Sequence, residues 1–68
     1  MKLVINGEDR IFDSISTLSD LFSRLGLKSD RVAVELNRDL ISRDHWADTR
    51  LKEGDKLEIV HFVGGGLD

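Results

Sequence analysis

The chain has 68 residues and no cysteine, so it forms a single small domain with a thin core that neither a disulfide nor a cysteine metal site supplements. A domain of this size buries only about 60% of the surface its unfolded chain exposes. Ten Lys and Arg against 13 Asp and Glu leave a formal net charge of −3 with no basic cluster, which argues against nucleic acid as a partner.

The apolar runs are too short for a membrane span, and the amino end turns polar at Asn6, too early for a signal peptide. A cytoplasmic protein, monomeric when free and not attached to a membrane, is expected. Lys2-Leu3-Val4-Ile5 is β-branched and apolar and leads into Asn6-Gly7, a dipeptide suited to the positive φ angles of a tight hairpin. Arg10-Ile11-Phe12 reads as the returning strand. Leu18, Leu21, Phe22 and Leu25 then fall at i, i+3, i+4 and i+7, the spacing of one buried helical face. Thr17 with Asp20 three residues on makes a capping-box-like start, and Ser16 is an alternative cap. Gly26 is placed to end the helix in the left-handed conformation, with Leu27 folding back on Phe22.

Val32, Val34 and Leu36 alternate with Ala33 and Glu35, the period of a strand with one buried face. Asn37-Arg38-Asp39 turns the chain into a short strand at Leu40-Ile41. Ser42 to Ala47 reads as a helical turn or loop that lays Trp46 over the edge of the core. The polar turn Lys52-Glu53-Gly54-Asp55 feeds the most strand-like segment, Lys56 to Val63. Leu57 and Ile59 face the core there, whereas Val60 and Phe62 have the opposite parity. One short helix covers only one face of a sheet, so Val60 and Phe62 are assigned to a partner-binding surface.

This order of elements is that of an α+β, ubiquitin-like β-grasp domain at 1–63, a mixed sheet of four to five strands packed on one helix, followed by a flexible C-terminal tail at 64–68. The last strand is expected beside the first, inside the sheet, where it holds the base of the tail. Gly64, Gly65 and Gly66 carry no side chains and suit a tail that threads a narrow gap to present a main-chain carboxylate. The side chains offer little to an enzyme. His45 and His61 lie apart, no metal-ligand spacing is present, and the glycines lack the following helix that a phosphate loop needs. A protein acted on by others, with no bound cofactor, is the expectation.

These residues resemble the ThiS group of bacterial sulfur carriers for thiamine biosynthesis. The likeness runs through Met1 to Gly7, Leu18 to Leu25, Val32-Ala33-Val34-Glu35-Leu36-Asn37, Ser42-Arg43-Asp44-His45-Trp46, Gly54-Asp55 and Gly65-Gly66. Its most distinguishing part is the Arg-x-x-Trp of Arg43 and Trp46. The resemblance implies that a ThiF-like enzyme uses ATP to adenylate Gly66, that the adenylate becomes a thiocarboxylate, and that a ThiG-like thiazole synthase receives the sulfur. Ser42 stands where the group often has proline, and Leu67-Asp68 continue past the glycine at which its members commonly stop. Removal of Leu67 and Asp68 by a protease is therefore expected. Two other readings stay open: a carrier like the small subunit of molybdopterin synthase, and a ubiquitin-like interaction module whose tail has no chemistry.

Overall fold

Residues able to adopt left-handed backbone set both hairpins. The structure, a computed structural model, describes residues 1–27 and 29–61. Strand β1 (Lys2–Ile5) turns through Asn6 at φ 50 and Gly7 at φ 83 into β2 (Glu8–Ile11), with Ile5 opposite Glu8. A two-residue turn of this kind matches the right-handed twist of the strands it joins. It also starts the returning strand two residues earlier than Arg10, and leaves Phe12 just past the ladder, where its side chain is buried.

Helix α1 spans Leu18–Leu25. Of the two candidate caps, Thr17 is the one used. Its hydroxyl accepts from Asp20 N–H at 3.2 Å, and the Asp20 carboxylate accepts in return from the N–H groups of Thr17 at 3.1 Å and Ser16 at 2.8 Å. These bonds occupy donors that a helix start leaves free. At the other end Gly26 sits at φ 73, donating to the carbonyls of Phe22 and Ser23, while Leu27 N–H reaches back to Phe22 at 3.2 Å. This is the Schellman arrangement, and Leu27 packs against the core beside it.

A 3-10 turn at Ser29–Arg31 leads into β3 (Val32–Leu36), which pairs with β4 (Asp39–Ile41) across a second left-handed turn at Asn37 (φ 51) and Arg38 (φ 77). A 3-10 helix follows at Arg43–Asp48. Ser42 precedes it at φ −70, an angle proline's ring also holds, so its φ is compatible with the proline often found there. Trp46 is 4% exposed and lies inside the core instead of over its edge. Its ring sits 4.4 Å from that of Phe22, tilted by 43°, and its indole N–H donates to Ile41 C=O at 3.0 Å. A partner for the one polar atom is what permits full burial of the ring.

The last described strand, β5 (Lys56–His61), runs parallel to β1 and antiparallel to β3, giving the order β2-β1-β5-β3-β4. The final strand therefore lies in the middle of the sheet, as the order of elements predicts. Leu18, Leu21 and Phe22 of α1 cover the inner face, where Leu3, Ile5, Val34, Leu57 and Ile59 are buried. Five strands wrapped on one helix make the β-grasp architecture. Among the described residues no helix is long and apolar enough to cross a membrane.

Candidate functional site

Whatever the tail does, β5 determines where it starts. On one side β5 pairs with β3 through five consecutive positions, from Leu36 opposite Leu57 to Val32 opposite His61. On the other side β1 offers only Val4 beside Lys56 and Ile5 beside Leu57 before the hairpin carries it away. Asn6 makes up the deficit. Its Oδ1 accepts from Ile59 N–H at 2.7 Å and its Nδ2 donates to Ile59 C=O at 3.1 Å. A side-chain amide has the same donor and acceptor as a peptide group, so it extends the ladder by one step.

Asn37 does the same at the start of β5. Its backbone N–H donates to Lys56 C=O at 2.7 Å and its Oδ1 accepts from Lys56 N–H at 3.0 Å. Its Nδ2 then donates to Asp55 Oδ1 at 3.1 Å. Asp55 is only 5% exposed, and its second oxygen accepts from Lys52 N–H at 2.7 Å. A buried carboxylate is tolerated when its oxygens are paired in this way. The sequence reading missed Asn6, Asn37 and Asp55 as positioning residues. For the two asparagines a signal was present, since each stands at a turn that needs positive φ; for Asp55 nothing local marked it.

The outer face of the sheet carries exposed apolar residues. Leu57 and Ile59 are buried, whereas Val60, out of phase with them, is 54% exposed. Val60 stands directly opposite Ala33, and Leu40, 72% exposed, stands opposite Glu35. Ala33, Leu40 and Val60, with Glu35 and Glu58, line one shallow groove. Val60 thus lies on the exposed outer face, as its parity predicts. Phe62, Gly64, Gly65 and Gly66, the other residues assigned from sequence, lie outside the described residues.

Elsewhere Ser42 Oγ lies 3.0 Å from His45 Nδ1, but the two are exposed neighbours on one 3-10 turn. Among the described residues no group of three or more His, Cys, Asp or Glu is arranged to hold a metal ion. The described side chains position β5 and form a surface beside it.

A family model described as the ThiS family matches residues 3–66, almost the whole chain and ending on Gly66. The chain belongs to the ThiS family. It is 37% identical to the sulfur carrier protein ThiS of Bacillus subtilis over 65 residues, which cover 94% of this chain and 98% of that one. A crystal structure of a thiamine biosynthesis protein, ThiS, from Geobacter metallireducens superposes with a TM-score of 0.82 at 35% identity, covering 97% of this chain and 100% of that one. All 68 residues also match a thiazole synthase of Paramagnetospirillum magneticum at 48% identity, yet they span only 21% of that protein's length. A ThiS-like stretch there forms part of a longer polypeptide.

Proposed function

We propose that this chain is the sulfur carrier of a thiamine-type pathway, a protein substrate whose own side chains do no catalysis. Membership of the ThiS family through Gly66 carries this reading, supported by β5 lying in the sheet interior and ending at His61, three residues before Gly64. The carboxylate of Gly66 attacks the α-phosphate of ATP on a ThiF-like partner, and pyrophosphate leaves. Sulfide then adds to the resulting acyl-adenylate carbonyl, AMP departs, and a thiocarboxylate remains. ATP belongs to the partner's site throughout.

For Gly66 to present that carboxylate, the peptide bond to Leu67 has to be open, and a protease that removes Leu67 and Asp68 fits this need. With both residues in place, the terminal carboxylate would stand two residues beyond the phosphate it should meet, and an aspartate side chain would enter a site shaped for glycine. The recipient of the sulfur is a ThiG-like thiazole synthase, a reading supported by the relative in which a stretch like this one is joined to a thiazole synthase. The β5 clamps give the tail a fixed origin, and Val60 with Phe62 supplies the docking surface beside it.

The test is pyrophosphate release by a ThiF-like enzyme with ATP, measured with and without the form ending at Gly66. Release that depends on the carrier supports the proposal. Release that is indifferent to it rejects the carrier role and leaves an interaction module.

A further inference from the structure

Asn6 holds the tail end of β5 from the β1 side. Asn37 and Lys56 bond directly in the ladder between β3 and β5, so the backbone groups of Glu58 and Val60 turn toward β3 and those of Leu57 and Ile59 turn the other way. On that other side Asn6 N–H donates to Leu57 C=O at 2.9 Å, and the hairpin then carries β1 away. Ile59 is left with the Asn6 side chain. Among the described residues that one amide supplies both bonds to the Ile59 backbone, accepting from its N–H at 2.7 Å and donating to its C=O at 3.1 Å.

The start of β5 is built differently. Lys56 has Val4 on one side and Asn37 on the other, and Asn37 is itself tied to Asp55. Loss of any one of these contacts leaves the others, whereas loss of the Asn6 amide frees the β1 side of Ile59. Gly66 lies seven residues beyond Ile59, at most about 25 Å of extended chain. A tail drawn out into a narrow site has no slack to absorb a shift of its origin, so a displacement at Ile59 passes to the carboxylate at the tip. A misplacement of about 1 Å at a reacting group can cost on the order of a hundredfold in rate.

We infer that Asn6 is a positioning residue for the adenylation step: by holding Ile59 from the β1 side, it sets the direction from which the Gly66 carboxylate approaches the α-phosphate of ATP. This rests on the carrier reading above and adds to it a residue whose effect falls after docking. Asn6 acts through β5 and not by touching the reacting atoms.

The experiment uses the form ending at Gly66 in single turnover, with a ThiF-like enzyme in excess and saturating ATP, and follows pyrophosphate release as the enzyme concentration is varied. The limiting rate reports the step after docking. The half-saturating concentration reports docking together with the folded fraction of the carrier. Asn6→Gly keeps the turn at φ 50 and removes the amide. Thr17→Ala is the control, because it lowers stability through the cap of α1 without removing a hydrogen bond to β5. Trp46 emission checks that each variant is folded at the assay temperature. Asn6→Gly should lower the limiting rate roughly tenfold and keep the half-saturating concentration within about twofold of wild type, while Thr17→Ala keeps the wild-type limiting rate. A residue that only stabilises the fold raises the half-saturating concentration and leaves the limiting rate alone. An unchanged limiting rate in Asn6→Gly therefore overturns the positioning role and leaves the carrier reading standing, as does a limiting rate that falls equally in Thr17→Ala. A wild-type chain that supports no release overturns the carrier reading and this inference with it.

Discussion

Asn6 holds both backbone groups of Ile59, accepting from its N–H at 2.7 Å and donating to its C=O at 3.1 Å. Asn6 is the turn residue of the first hairpin, at φ 50, so one side chain serves two purposes: it tolerates the left-handed turn and it clamps the central strand. Ile59 is the last position at which β5 has a partner on the β1 side, which makes this contact the nearest described restraint to the tail on that edge.

Asn6→Gly keeps the turn but removes the amide, and it leaves the Ile59 N–H and C=O without their partner. A loss of about 1–3 kcal/mol in urea unfolding is expected, with faster amide exchange at Ile59. Asn6→Asp retains the acceptor but turns a carboxylate oxygen toward the Ile59 C=O, so it should also be less stable than wild type. If Asn6→Gly were as stable as wild type, the clamp would have no energetic role.

Trp46 closes the core against Phe22 and satisfies its indole N–H on Ile41. Trp46→Ala should cost about 3–5 kcal/mol, a large part of the stability of so small a domain. Trp46→Phe keeps an aromatic ring but removes the hydrogen bond to Ile41, and should cost less. As the chain's sole tryptophan, Trp46 reports its own burial. Wild-type emission should shift to the red on unfolding, and a native state already emitting like the unfolded one would contradict the burial.

The capping box gives a defined pH response. Hydrogen bonds from the backbone N–H groups of Ser16 and Thr17 hold the Asp20 carboxyl below its ordinary value of 3.8, with the Thr17 hydroxyl and Arg24 acting in the same direction. Because the folded value is lowered, the contribution is complete above the unfolded value and is lost as pH falls through the folded one. Asp20→Asn should therefore melt below wild type at about pH 7, and the gap should narrow at about pH 2.5 as the wild-type carboxyl protonates. A gap that stays constant across this range would place the effect outside the carboxylate.

Val60 and Ile59 are neighbours with opposite duties, one half exposed and one buried. Val60→Ser should weaken association with the adenylating enzyme while leaving the thermal transition nearly unchanged, and Phe62→Ser is expected to behave alike. Ile59→Ala should cost about 2–5 kcal/mol and act on folding first. If Val60→Ser bound as wild type does, the docking face would lie elsewhere.

The helix was legible because three independent signals coincide in a few residues: apolar spacing from Leu18 to Leu25, the Thr17 and Asp20 cap, and the stop at Gly26. The interior position of β5 could be read from the order of elements, and its buried face from the alternation of Leu57 and Ile59. Phe12 has the composition of a strand residue, but it follows β2. The two-residue turn at Asn6-Gly7 fixes a register that ends just before it, and its side chain turns into the core. The burial of Trp46 is not legible locally, because its partner Phe22 is on another element and no local pattern links two rings that meet only through the fold. Asp55 was read as part of a polar turn for the same reason, since Asn37, which pairs with it, is supplied by the other hairpin. Of the candidate site, the position of Val60 was readable from parity alone. The clamp of Asn6 on Ile59 was not, because two segments far apart in sequence meet there only through the sheet.

The central claim, that Gly66 is the residue to which sulfur is added, is tested most directly by intact mass. The full 68-residue chain and a form ending at Gly66 are each incubated with a ThiF-like enzyme, ATP and a sulfur donor. The form ending at Gly66 should exchange one carboxyl oxygen for sulfur, and the full chain should keep its mass. Conversion of the full chain to a thiocarboxylate at Asp68 at the same rate would contradict the assignment.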